Sequence, residues 1–290
     1  MTGSSSGLGR ACALDLAQQG FRVLAGVRSG ADGEALRQAA PGGAVHPLIL
    51  DVTDDETVAT AAAQAADLVG PTGLWGLVNN AGVVVSAPLE CVPLDELRRQ
   101  LDINVVGQVR VIQAFLPLLR RARGRIVNVT SGLGSLALPY MGPYAASQFA
   151  KEAVSDALRR ELRPFGVSVS IVQPGAIWTP IWDKTREGAL GNLDRADRGV
   201  ADLYRTTFVN FLGGNEALAR ASRTTTGDFA AAVREALTAA RPKTRYPIGA
   251  DVKKARLMLR LLPTSAFDKQ LAPIVTPPAA TAGEPVATTR

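Results

Sequence analysis

A serine and a tyrosine stand 13 positions apart in this chain, Ser131 closing the β-branched run 125–130 (RIVNVT) and Tyr144 opening a helical stretch. A phenol with an ordinary pKa near 10 exchanges a proton with an oxygen centre near neutrality only when its surroundings favour the phenolate. A neighbouring hydroxyl can hold that oxygen in place. Four residues after Tyr144, one turn along the same helical face, YAASQ places Gln148. Glutamine donates and accepts hydrogen bonds but brings no charge. Lys151 falls near the same face, but two turns on and about 10 Å along the axis, a gap its stem covers only in part.

A second cluster opens the chain, where residues 2–9 read TGSSSGLG. Gly3, Gly7 and Gly9 give a tight turn, close backbone approach to a pyrophosphate and close packing of the helix that follows. That helix begins near Gly7, so its free N–H groups face an anion held at the turn, beside Ser5, Ser6 and Leu8. Asp51 and Val52 end one strand run, residues 79–82 (NNAG) end another, and 174–179 (PGAIWT) follow a third. The carboxyl ends of parallel strands are where open α/β sheets bind ligands.

Short β-branched runs at 21–27, 44–50, 74–79, 125–130, 167–173 and 244–248 alternate with helical stretches at 7–19, 54–69, 94–119 and 143–163. Near-continuous apolar strands joined by helices predict a parallel sheet covered on both faces, in a single doubly wound α/β domain of the Rossmann type over 1–275. Region 180–225 is less regular and is expected to form a lid over the site. Residues 251–274 predict two short amphipathic helices split at Pro263, and the Pro-, Ala- and Thr-rich tail 276–290 is expected to be disordered. The chain opens Met-Thr-Gly directly at the glycine turn, with no strand before it. Because the first strand of such a sheet is central, the expectation is a truncated first strand and a natural product that starts upstream.

TGSSSGLG, NNAG, Asn104 in DINVVG, Ser131, Tyr144 and PGAIWT together resemble the short-chain dehydrogenase/reductase family over essentially the whole chain. The resemblance implies an oxidoreductase moving a hydride between a nicotinamide cofactor and an alcohol or ketone. It implies that Tyr144 moves the proton, that Ser131 holds the substrate oxygen and that Asn104 organises a water relay. Asp51 and Val52 would flank the adenine, and Asn79, Ala81 and Gly82 would line the cofactor. Pro174, Gly175, Ile177 and Thr179 would cradle the carboxamide. The family has lysine where this chain has Gln148, which implies retained bonding to the nicotinamide ribose and weakened proton transfer.

An acid at the end of the second strand would accept the adenosine ribose hydroxyls, whereas an arginine pairs with a 2′-phosphate. Arg28 followed by Ser29, with no acid until Asp32, favours NADP(H) over NAD(H). Residues 23–28 (VLAGVR), 245–250 (RYPIGA) and 261–265 (LLPTS) are similar to the retinol and hydroxysteroid dehydrogenase branch, which implies a lipophilic alcohol or ketone. Trp178, Trp182, Leu190, Leu193, Tyr204, Phe208 and Phe211 are placed to line an apolar pocket, or to pack the lid onto the sheet. The alternative class is a catalytically silent NADP(H)-binding regulatory or scaffold protein. The family resemblance also implies a homodimer or homotetramer built through the helices holding Asn104 and Tyr144.

The 47% hydrophobic and 20% charged residues are ordinary globular usage. A net charge of +6 raises nucleic acid as a partner, but the basic residues are scattered. Their main cluster, Arg120, Arg121, Arg123 and Arg125, reads as a helix end where cations suit the dipole, so no nucleic-acid partner is expected. Cys12 and Cys91 have no metal or redox spacing, so no metal is expected and a reducing compartment is. No run of about 18 apolar residues and no signal peptide are found, which predicts a soluble cytoplasmic protein.

Overall fold

The computed structural model describes residues 1–277, so 278–290 of the predicted tail lie outside the described residues. Among the described residues there are six strands, all parallel: β1 Val23–Val27, β2 Val45–Ile49, β3 Gly76–Asn79, β4 Arg125–Val129, β5 Ser168–Pro174 and β6 Arg245–Ile248. Each lies within one or two residues of its predicted run. All five residues of β1 are buried, as a strand covered on both faces requires.

The hydrogen-bonded ladders run β1-β2 and β3-β4-β5-β6. Residues 1–4 lie between β1 and β3. The Met1 amine donates to Leu24 O at 2.7 Å and Gly26 N–H to Met1 O at 2.7 Å, while Ser4 N–H reaches Gly26 O and Thr2 N–H reaches Val78 O, each at 3.0 Å. This short segment bonds to both neighbours, as the central strand of a doubly wound sheet does. Beyond the Met1 amine the two strands diverge around a cavity of about 380 Å³, lined by Leu24, Leu48, Trp75, Val78, Val111 and Phe115 among others. Burial there pushes the Met1 ammonium down to about 6.

Two apolar layers sandwich the sheet. On one face Cys12, Leu16, Phe229, Val233 and Leu237 meet Val78, Val127 and Val172. They come from helices α1 (Gly7–Gln18) and α9 (Thr226–Thr238), with α2 (Gly30–Ala39) adding Leu36. On the other, Val58 and Ala61 of α3 (Asp55–Val69) and Val111 and Phe115 of α5 (Gly107–Ala122) cover Leu77, Ile126 and Val169. Both cysteines are buried and free.

Two sequence expectations are corrected. The helix predicted at 94–119 is not continuous: α4 (Leu94–Leu101) passes into a π-helical segment, Asp102–Val106, before α5. Helices α2 and α9 add to the helical stretches read from the sequence. Two glycines and few apolar positions mask α2 (GADGEALRQA), which starts at a Ser29 cap whose hydroxyl accepts from Asp32 N–H. The signal for α9 was a capping box, Thr225 with Asp228, ahead of the apolar positions 229, 230, 233, 236 and 237. Region 180–225 is regular, forming α7 (Ile181–Asp194) and α8 (Arg198–Ala221). The two C-terminal helices, α10 (Ala250–Leu261) and α11 (Thr264–Val275), break at Pro263 as expected.

Candidate active site

The glycine turn is built against the loop after β3. Gly3 has φ +65°, and a Cβ there would stand 2.9 Å from Ala81 Cα. At Gly9 a Cβ would lie 2.0 Å from Gly3 O and 2.6 Å from Asn80 Nδ2. Asn80 and Thr2, neither singled out from the sequence, fix this approach: Thr2 Oγ1 accepts from Asn80 N–H and Ala81 N–H, and Asn80 Nδ2 donates to Gly3 O at 3.1 Å. Their signal was adjacency to the glycines and to NNAG. Ser5 and Ser6 are exposed, and α1 starts at Gly7 with Ser6 as its uncapped leader. The open first-turn N–H groups therefore face the site. Gly9→Ala is expected to abolish measurable dinucleotide binding and to cost on the order of 1–3 kcal/mol of stability through overpacking; fluorescence titration and thermal unfolding check both.

The predicted cofactor-lining set divides. Ala81 adjoins the turn and Gly82 adjoins Asn104, but the Asn79 side chain is taken up by the neighbouring strand. Its Nδ2 donates to Asn128 Oδ1 at 2.9 Å, and Asn128 Nδ2 donates in turn to Ser155 Oγ. Val52 is buried and packs against Gly107, whereas Asp51 stands at the end of the same loop. Burial raises the Asp51 carboxyl, but bonds from Thr53 and the nearby Arg28 and Arg110 outweigh it and hold the carboxyl below its usual range. Arg28 is exposed at the end of β1. Asp32, the first acid after it, accepts the Ser29 hydroxyl at 2.8 Å and so is engaged within its own helix turn.

Tyr144 lies in the first turn of α6 (Gly142–Glu161), and Ser131 ends the loop after β4. Desolvation of the phenol dominates and pushes Tyr144 up to about 12, against the nearby Ser131 hydroxyl, which lowers it. No cation opposes the burial. Gln148 is buried on the same helix; its Nε2 meets Ser147 Oγ at 3.4 Å and its Oε1 has no hydrogen-bond partner. A buried acceptor without a donor is expensive, and it fits the hydroxyl of a bound ribose.

Lys151 does not take the missing cation's place. Its Nζ turns back to the sheet, donating to Val129 O at 2.5 Å. Burial lowers its ammonium to about 8, with Glu152 opposing. The folded value lies below the ordinary 10.5, so the stability linked to this group is full above about pH 10.5 and is lost as pH falls through 8. Lys151→Met is therefore expected to flatten the loss of unfolding free energy between pH 10 and 8 by up to about 3 kcal/mol, read by denaturant melts.

Asn104 sits in the π-helical segment, fully buried. Its Oδ1 accepts from Val83 N–H and its Nδ2 donates to Val83 O, both at 2.9 Å, and to Ser147 Oγ at 3.0 Å. Its amide clamps the loop after β3 to α6, a role that the expected water relay did not include.

Of the loop at 174–179, Ile177 and Thr179 are buried and Thr179 Cβ comes 3.5 Å from the Cβ position of Gly7, so the phosphate turn and this loop adjoin. Of the two alternatives for the aromatic and aliphatic residues, inward packing describes several of them. Leu193, Phe208 and Phe211 are buried around Tyr140, whose ring meets Phe208 and Phe211 edge-on at 5.2 and 5.3 Å. Trp182 Nε1 donates to Ile177 O at 2.8 Å, Trp178 lies under Arg220, and Tyr204 donates to Glu90. Apolar area is worth more buried than exposed, so Leu193, Phe208 and Phe211 pack with Tyr140, Met141 and Cys91. Tyr140 has φ +65° and its hydroxyl pairs with Thr207 at 2.7 Å. Three of the four arginines of the basic cluster are also occupied: Arg125 donates to Ala236 O and Ala239 O, Arg121 to Gly70 O, and Arg120 lies over Phe165.

A parallel α/β sheet carrying a glycine cradle beside a serine–tyrosine pair defines a dinucleotide-dependent oxidoreductase. The chain belongs to the short chain dehydrogenase family, whose model matches residues 1–190. It is 40% identical to a 3-amino-tetrahydro-pyrrolizinone reductase of Xenorhabdus hominickii over 93% of this chain and 92% of that protein. It is 39% identical to retinol dehydrogenase 5 of Mus musculus over 96% of this chain and 89% of that protein. A short chain dehydrogenase from Burkholderia cenocepacia J2315, solved in complex with NADP, superposes with a TM-score of 0.70 at 27% identity, covering 95% of this chain and 96% of that one.

Proposed function

We propose that this protein transfers a hydride between NADP(H) and a lipophilic alcohol or ketone, at a rate limited by proton transfer at Tyr144. The observation that carries the reading is the half-buried Tyr144 close to the Ser131 hydroxyl and on the same helix as an uncharged Gln148 with a free Oε1. The residues fit the cofactor, since the cradle at Gly3 and Gly9 has no room for a Cβ. The nicotinamide, when bound, supplies or accepts the hydride. Gly3, Ser5, Ser6, Gly7, Leu8 and Gly9 hold its phosphates, and Pro174, Gly175, Ile177 and Thr179 orient its carboxamide. Asp51, Val52, Ala81 and Gly82 border the remainder, with Asn79 acting from within the sheet.

Arg28 supports NADP(H), because the nearest acid, Asp32, already accepts the Ser29 hydroxyl. Ser131 holds the substrate oxygen, Tyr144 moves its proton, and Gln148 Oε1 accepts a ribose hydroxyl. The retinol dehydrogenase relative and the apolar layer around Tyr144, which includes Leu133 and Leu138, support a lipophilic substrate. The pyrrolizinone reductase relative supports a cyclic ketone within that class.

Exposed Val106 and Phe149, beside Asn104 and on the helix of Tyr144, support assembly of two or four copies through these helices. Two free thiols suit a reducing compartment such as the cytoplasm. Among the described residues no helix is long and apolar enough to cross a membrane.

The lack of a cation near Tyr144 favours a second reading, a silent NADP(H)-binding regulatory or scaffold protein. Titration with NADPH and NADH, followed by turnover of secondary alcohols and ketones, separates the two. Binding with turnover supports the enzyme, binding without it the silent protein, and a clear NADH preference overturns the cofactor assignment.

A further inference from the structure

The start of α10 touches both loops that carry the site. Asp251 reaches across from that helix, and its Oδ2 accepts from Ala176 N–H at 2.8 Å, within the loop 174–179. Glycine is required on both sides of the carboxylate. A Cβ on Gly175 would lie 2.2 Å from Asp251 Oδ2, and one on Gly249, which has φ +101°, would lie 2.3 Å from Oδ1. The next residue, Val252, is buried, and its Cγ2 would be 2.8 Å from a Cβ on Gly132, the neighbour of Ser131.

The segment is tied down further along. Arg256 Nη1 donates to Gln173 Oε1 at 2.6 Å, at the end of β5. Gln173 Nε2 donates to the buried Glu152, which also accepts from Thr130 and Arg245. So α10 is fixed near its start to the loop and at its middle to the strand that launches the loop.

We infer that Asp251 is a positioning residue for the nicotinamide half of the cofactor, holding Ala176 so that the backbone of residues 175–177 presents a fixed edge to the carboxamide. The inference rests on the assignment of that loop under the proposed function. A carboxylate accepting a backbone N–H makes a charge-assisted bond, stronger than a neutral one. Asp251 makes no claim on the phosphate turn, so its effect should be confined to one half of the dinucleotide.

The test compares the parent with Asp251→Ala and Asp251→Asn in affinity for NADPH and for 2′-phospho-ADP-ribose, which lacks the nicotinamide. Asp251→Ala is expected to weaken NADPH binding about tenfold and to leave 2′-phospho-ADP-ribose unchanged. Asp251→Asn, which keeps a side-chain oxygen for Ala176 N–H, is expected to recover most of that loss. Equal loss for both ligands, or no loss in Asp251→Ala, overturns the role, as does an Asp251→Asn variant as weak as Asp251→Ala. A parent that binds 2′-phospho-ADP-ribose but gains nothing from the nicotinamide overturns the loop assignment and the role with it. Unfolding midpoints of the three proteins guard against misfolding: an Asp251→Ala protein that melts far below the parent overturns a purely local role unless Asp251→Asn, melting with the parent, shows the recovered affinity.

Discussion

Replacing Gln148 with lysine is expected to raise alcohol oxidation near pH 8 on the order of a hundredfold or more. The phenol of Tyr144 is pushed up to about 12 because burial penalises the phenolate and only the Ser131 hydroxyl opposes it. A cation about 4 Å from the phenolate at an effective dielectric of 20 contributes roughly 4 kcal/mol, equivalent to about three pKa units. The site already has room on the correct face, since Gln148 fills it with a side chain of similar reach. The limb of the pH–rate profile that reports the tyrosine should move down by about three units while NADPH affinity changes little. Gln148→Met, which has neither charge nor hydrogen bond, should not move that limb and should weaken binding. A Gln148→Lys profile superimposable on the parent's would sink the electrostatic account.

The second large effect is expected in stability. Joining four alternating apolar and β-branched residues ahead of Met1 should raise the melting temperature by on the order of 10 °C. The cavity between β1 and β3, about 380 Å³, sets a ceiling near 9 kcal/mol at about 24 cal/mol per Å³. Ordering four residues costs roughly 6 kcal/mol, and new ladder bonds return about 1 kcal/mol each. The extension also changes the pH dependence. In the free chain the Met1 amine falls from the ordinary 8 to about 6, so its contribution is full above pH 8 and is lost as pH drops through 6. An amide at that position cannot titrate, so this loss should vanish in the extended protein. A Ser- and Asp-rich extension of equal length is the control. Equal melting temperatures for parent, apolar and polar versions would show that the cavity does not accept a strand.

Much of the architecture was legible because parallel strands covered on both faces leave an unbroken apolar signature. All six runs, from VLAGV to RYPI, became strands in the expected places. The glycine turn was legible for a similar reason, since Gly3 and Gly9 occupy positions where no side chain fits. What stayed hidden depended on contacts between distant segments. Asp251 meets Ala176 across 75 residues, and Thr2 meets Asn80 across 78, which no local pattern encodes. The inward turn of Asn79 was equally hidden, because its partner, Asn128, lies on the neighbouring strand. The regularity of α7 and α8 was masked by their glycines and scattered charges. Their helical order comes from the apolar layer they share with Tyr140.

That layer bears on the kinetics of substrate exchange. Tyr140 holds a left-handed backbone four residues before Tyr144, a conformation costing a residue with a side chain on the order of 1 kcal/mol. Its restraints are the two phenylalanine rings and the Thr207 hydroxyl, all on α8, while Ala87 N–H and Ser86 hold its carbonyl. An outward swing of α8 removes the first set and leaves the second. The strained turn can then relax, and the first turn of α6 shifts with it. Were α8 to swing out in this way, admission of a bulky molecule and alignment of the phenol would be one gated motion. Larger substrates should accordingly show slower association, with kcat/KM falling as solvent viscosity rises.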